Sequence, residues 1–135
     1  MIRTKNQKGF TLVEIMIVVS IIILLAAIAI PSFIRARQRS QGSTTLNGAR
    51  QLDAAIDQWA IENGIDNGVA VDLDSIEIFV KPGSAFQVAL AAATAPTDAL
   101  GNAYVFGNTG TGQLTINAAT VTSLTGVVTD WGGFD

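Results

Sequence analysis

The chain has 135 residues, with eight lysines and arginines against eleven carboxylates and neither cysteine nor histidine. Disulfides and thiolate chemistry are excluded, and so is the side chain best suited to proton transfer near neutral pH. Basic residues cluster early, at Arg3, Lys5 and Lys8 and again at Arg35, Arg37 and Arg39. From Gln51 onward Lys81 stands alone against Asp53, Asp57, Glu62, Asp66, Asp72, Asp74, Glu77, Asp98, Asp130 and Asp135. Phosphate backbones want clustered Lys and Arg, so nucleic acid is not an expected partner.

In chain order, a basic leader over 1–9 ends in Gly9, and a nearly unbroken apolar run follows from Phe10 to Ile34. As a helix that run is about 37 Å long, enough to cross a hydrocarbon core of about 30 Å. Basic residues flank both of its ends, so charge orients the span only weakly. Glu14 lies inside its first turn, where an unpaired carboxylate is costly and reads as a functional residue. Pro31 lies near its far end and predicts a kink, because proline removes one backbone hydrogen bond.

The combination of a basic leader, Gly9-Phe10-Thr11-Leu12-Val13-Glu14, an apolar helix and then Pro31 resembles the prepilin signal of type IV pilins and type II secretion pseudopilins. The resemblance covers roughly the first forty residues. It implies a cut by a prepilin peptidase between Gly9 and Phe10, methylation of the new amino-terminus at Phe10, and Glu14 as the assembly acid. It places the leader in the cytoplasm, bends the helix at Pro31, and matches Leu24 to Pro31 closely. Two features depart from the family. Ile23 stands where many members carry a glycine that loosens the helix, and the disulfide that staples many pilin heads is ruled out. An ordinary secretory signal is the alternative, with small-residue cleavage sites at Leu25-Ala26-Ala27 or Ala27-Ile28-Ala29. The apolar core of such signals, about 7–15 residues, is shorter than this one.

Beyond the span, Leu46, Ala49, Leu52, Ile56, Trp59 and Ala60 recur at three- and four-residue steps, with Asp53 among them, as an amphipathic helical stripe. One long helix is predicted from about Thr11 to Asn63, capped by Gly64. Gly42 and Gly48 soften it, by about 1 kcal/mol each relative to alanine, and two helices broken at Gly42-Ser43 are the alternative. Asn67-Gly68 is a turn signal. Asp74 to Val80 reads as a short helix or a strand, and Ala85 to Ala95 takes no assignment. Tyr104–Phe106, Gln113–Asn117 and Thr120–Leu124 read as strands, the first two joined by Gly107–Gly112 as a hairpin. A lone hairpin is marginal in water, so the stripe from Leu46 to Trp59 is its packing partner. The fold class is α+β and pilin-like: a long amino-terminal helix, transmembrane in its first half, packed on a small antiparallel sheet. Its parts are the leader at 1–9, the span at 10–34 and a head at 35–135.

Asp98-Ala99-Leu100-Gly101-Asn102-Ala103-Tyr104 resembles a run in the major pseudopilins of type II secretion, without its usual proline and tryptophan. A Gly-Asn turn entering a strand explains the same residues. Those pseudopilins bind calcium near the carboxy-terminus. The candidate ligands for that one cofactor are Asp130 and Asp135, a thin set for an ion that takes about six to eight oxygens. Asp53 with Asp57, or Asp72 with Asp74, would be the carboxylate pair of a hydrolase, but solvated surface explains them and no enzyme is expected.

The resemblance implies a structural subunit that polymerises with itself and with other pilins or pseudopilins. It implies residence in the bacterial inner membrane, with the head in the periplasm, or outside the cell for a surface pilus, and work with an inner-membrane assembly platform. The reading leans to a type II secretion pseudopilin. A pilin of a surface fibre is the first alternative, and an anchored periplasmic adaptor that never polymerises is the second.

Overall fold

A computed structural model describes residues 9–110 and 112–135, so the leader lies outside it save for Gly9. Helix α1 runs without a break over Leu12–Asn63, 52 residues with Pro31 inside. It is followed by a 3-10 turn at Glu77–Phe79, helix α2 at Ala85–Ala91, strands β1 at Val105–Phe106 and β2 at Leu114–Thr115, and helix α3 at Ala118–Ser123. The chain divides into two compact units, one ending at Ala36 and the other covering Arg37–Asp135.

In the first unit, the side chains of α1 from Leu12 to Ile34 are exposed except Ala26, which is half-buried. Leu, Ile, Val and Phe occupy every face there, with Leu24 65% and Phe33 70% exposed. A helix apolar all round is stable only when lipid or other helices cover it.

The second unit closes its own core. Its part of α1 buries Thr45, Ala49, Leu52, Ile56 and Trp59, with Gly42, Gly48 and Ala55 on the same side. Against this face pack Ile76, Val80, Leu90, Tyr104, Leu114, Ile116, Leu124 and Trp131. Gly42 and Gly48 do not break the helix; both are buried where another element comes close. A Cβ on Gly42 would overlap Val128 Cγ2, and one on Gly48 would lie 2.8 Å from Phe86 Cζ. The two-helix alternative is therefore wrong, because these glycines serve close packing. The helix ends as the Gly64 cap predicts. Gly64 has φ +61°, its N–H donates to Ile61 O, and Ile65 N–H donates to Ala60 O at 2.8 Å. This is the Schellman pattern.

β1 and β2 pair antiparallel with Val105 opposite Thr115 and Phe106 opposite Leu114. Gly107 N–H to Gln113 O at 3.0 Å closes the hairpin. Further segments pair with residues just outside the two strands. Ile116 N–H donates to Phe134 O, and the 68–71 segment pairs with 107–109 through Gly68 N–H to Thr109 O and Thr109 N–H to Val69 O.

One expected strand is corrected. Thr120–Leu124 lies in and just after α3, because Asn117 caps that helix with its side chain accepting from Ala119 N–H at 3.0 Å. The β-branched run is accommodated by hydroxyls that donate to carbonyls four residues back, Thr122 to Ala118 and Thr125 to Val121. At 74–80 the chain forms the 3-10 turn, with Ile76 and Val80 buried. The unassigned segment holds α2, capped by Ser84.

Candidate functional site

The first described residues are free of secondary structure. Gly9 and Phe10 are exposed, Phe10 to 83%. A Cβ on Gly9 would meet nothing within 4 Å, and its φ lies outside the left-handed region. Nothing in the chain's own described structure therefore requires a glycine here.

Thr11 and Glu14 form a reciprocal capping box at the start of α1. Thr11 Oγ1 accepts from Glu14 N–H at 3.2 Å. Glu14 Oε2 accepts from Thr11 N–H and from Thr11 Oγ1, each at 3.0 Å. Two backbone donors with no intrahelical partner are satisfied this way, and a carboxylate in the first turn complements the helix dipole. Oε1 takes no hydrogen bond among the described residues, so one carboxylate oxygen faces outward from an exposed site. Sequence reasoning singled out Glu14 and missed Thr11, although the Thr-x-x-Glu spacing was there to read.

Further along, Pro31 has no N–H for the Ala27 carbonyl. Ser20 Oγ donates to Met16 O at 2.8 Å and Ser32 Oγ to Ala29 O at 2.9 Å. Both hydroxyls are satisfied inside the helix, as a lipid surrounding requires.

In the head, Asp98 organises a closed turn. Its Oδ1 accepts from Leu100 N–H at 2.8 Å and Asn102 N–H at 3.0 Å. Its Oδ2 accepts from the Thr120 hydroxyl, and Asn102 Nδ2 donates to Thr120 Oγ1 at 2.8 Å. Gly101 takes φ +88° to complete the turn. Tyr104 leaves it to bury its ring edge-to-face with Phe86 and to donate to Thr45 O at 2.8 Å. Burial, then the Asp98 charge, pushes the Tyr104 hydroxyl up to about 12. These groups satisfy one another and hold α3 to the turn, which is a structural arrangement.

The carboxylates suggested for metal or hydrolysis form no group of three among the described residues, although Asp53 and Asp57 meet on one amide. Asp130 and Asp135 are exposed, and Asp130 Oδ1 accepts from Gly132 N–H at 2.7 Å. Among the described residues no group of three carboxylates is placed to hold an ion, so this donor set does not fit calcium. Asp53 and Asp57 share the amide of buried Gln113, whose Nε2 donates to them at 2.9 and 2.7 Å. Asp72 Oδ2 accepts from the Ser75 hydroxyl at 2.7 Å.

Residues 4–30 match the model of the prokaryotic N-terminal methylation motif. That match takes in Gly9, Phe10, Glu14 and most of the apolar run. The chain's similarity is to type IV pilins and fimbrial proteins. It is 43% identical to the fimbrial protein EcpC of Eikenella corrodens over 67 residues, 47% of this chain and 44% of that one. It is 48% identical to the type IV major fimbrial protein FimA of Dichelobacter nodosus over 56 residues, 42% of this chain and 36% of that one. With the type IV major pilin PilA of Myxococcus xanthus it shares 52% over 50 residues, 37% and 23% of the two chains. The match spans less than half the length of each relative. No solved structure matches the chain.

Proposed function

We propose that this chain is a structural subunit of a type IV filament and not an enzyme. Cleavage after Gly9 exposes an amino-terminus at Phe10, which is methylated. The Phe10–Ile34 helices then pack together as the fibre core, bent at Pro31. The observation that carries the reading is the methylation motif fused to a helix that is apolar on every face and exposed along its length. The relatives' names favour a pilin of a surface fibre. The lean toward a secretion pseudopilin loses its calcium argument, since the acids near the carboxy-terminus do not fit the ion. It keeps the short head, the missing disulfide and the Asp98–Tyr104 likeness, the last of which a self-satisfied turn also explains.

Glu14 supplies the register. Its free Oε1 is available to the positively charged amine of a neighbour's Phe10, and only one axial offset brings the two together. An unpaired carboxylate at that depth costs a few kcal/mol, so pairing avoids that cost and specifies alignment. Glycine at position 9, which the described residues do not need, is then a requirement of the peptidase. Partners would be other copies, related pilins, that peptidase and an inner-membrane assembly platform, with the head on the periplasmic side or outside the cell.

The test combines two measurements in cells. Mass spectrometry of the membrane-extracted protein should find an N-methylated Phe10; an intact Met1, or a terminus after Ala27 or Ala29, counts against the reading. Glu14→Val should leave cleavage unchanged and remove most filaments. Normal filament numbers with normal processing would refute the register role. Immunogold labelling of filaments outside the cell would separate a surface fibre from a secretion pseudopilin.

A further inference from the structure

We propose that Arg35, Arg37 and Arg39 form a collar that binds anionic phospholipid headgroups where the apolar run meets the membrane surface. The inference rests on the membrane-anchored reading and adds a ligand to it. From Ile15 to Leu52 the chain has no carboxylate, so the first charges after the run are these three arginines, all positive. All three are exposed.

Their spacing selects the occupant. Residues two apart on a helix are about 200° apart around its axis, so Arg37 and Arg39 do not share a face. A protein partner docking from one side reaches either Arg37 or the pair Arg35 and Arg39, which lie about 40° apart on the opposite face. A headgroup layer surrounding a spanning helix reaches all three. Depth agrees with this. Residues 35–39 cover about 6 Å of helix, and the headgroup region beyond each side of the hydrocarbon core is about 5–8 Å thick. Arginine stems lie along apolar surface while their guanidinium groups stay at that level, and the planar fork matches a phosphate. Competition from within the head is slight. Asp130 lines the same hollow as Arg39, but it is exposed and its Oδ1 already accepts the Gly132 N–H.

The absence of cysteine allows a single labelling position. The full chain carrying Ser40→Cys is labelled with a fluorophore and reconstituted in phosphatidylcholine vesicles containing phosphatidylglycerol. Quenching by headgroup spin-labelled phosphatidylglycerol is compared with quenching by spin-labelled phosphatidylcholine at equal mole fraction. The anionic lipid should quench about two- to fivefold more strongly. The ratio should approach one at 1 M salt, where the screening length is about 3 Å. It should also approach one in the variant combining Arg35→Gln, Arg37→Gln and Arg39→Gln. Equal quenching of an inserted wild-type chain overturns the collar, as does a preference that survives the triple replacement. Shielding from both lipids that grows with protein-to-lipid ratio, without any preference, would assign the arginines to the acidic surface of a second copy. Flotation in alkaline carbonate reports insertion separately; a chain that does not float overturns the membrane reading and the collar together.

Discussion

Gly48 shows how one missing atom sets the head's packing. A Cβ there would lie 2.5 Å from Tyr104 Oη and 2.8 Å from Phe86 Cζ. Those two rings contact each other edge-to-face, so neither moves alone. Gly48→Ala should lower stability by about 1–3 kcal/mol from overpacking, despite the gain in helix propensity of about 1 kcal/mol. A raised denaturation midpoint would show the site to be slack. Beside it, Thr45 is fully buried and its Oγ1 has no hydrogen-bond partner, although its carbonyl accepts from Tyr104. Thr45→Val keeps the shape and removes the orphan hydroxyl, so thermal melting should show a gain of about 1–2 kcal/mol. Tyr104 is the chain's only tyrosine, so its titration is read cleanly from tyrosinate absorbance. Its folded pKa is raised above the ordinary value of 10 to about 12. The stability this group contributes is complete below pH 10 and is lost as pH rises through about 12. A midpoint near 10 in the folded protein would contradict its burial.

At the scale of elements, what was legible followed from periodicity and caps. The stripe through Ala49, Leu52, Ile56 and Trp59 marks the buried face of α1, and Gly64 marks its end. Helix α3 was missed because Thr120-Val121-Thr122 favours strand, while the deciding signal, Asn117 as a cap, is a single residue. Helix α2 carried a signal that periodicity does not reveal. Ser84 accepts from Gln87 N–H and Gln87 reaches back to Gly83 N–H. Its other end is unusual, for Ala93 takes φ +50° where glycine is the common choice. Thr94 N–H to Ala89 O at 2.9 Å completes a Schellman-type end around it. Ala93→Gly should therefore raise stability by about 0.5–1 kcal/mol, the relief of left-handed strain exceeding the added chain entropy. A loss in the denaturant midpoint would show that Ala93 is held by contacts and not merely tolerated.

For the whole molecule, the chain divides near Ala36 into an exposed apolar run and a head with a core of its own. The unit from Arg37 onward carries its own apolar core, including Leu52, Ile56 and Leu114 at no more than 1% exposure. A chain starting at Arg37 should be soluble, and it should unfold in a single cooperative transition. Ile56→Ala in that fragment should cost about 2–5 kcal/mol, the range for deleting a large core side chain. The full chain should need detergent or lipid, because the exposed apolar run has nothing in its own unit to cover it. Aggregation of the Arg37 fragment at the concentrations where it is folded would show that the core extends into the preceding segment.

The sequence by itself determined the apolar run, the acid inside its first turn, and the stripe that builds the head's core. Each is written in neighbouring residues at fixed spacing, and the physics that reads them is local or strictly periodic. Only the tertiary structure decided that Gly42 and Gly48 serve contact and not flexibility, because the atoms that need their space come from Val128, Phe86 and Tyr104. The same holds for the Asp98 turn, whose hydrogen bonds are completed by Thr120, 22 residues on. It holds too for Asp130 and Asp135, whose spacing alone did not say whether further oxygens converge on them. Contacts between distant segments depend on how the chain returns to itself, and no local pattern encodes that return.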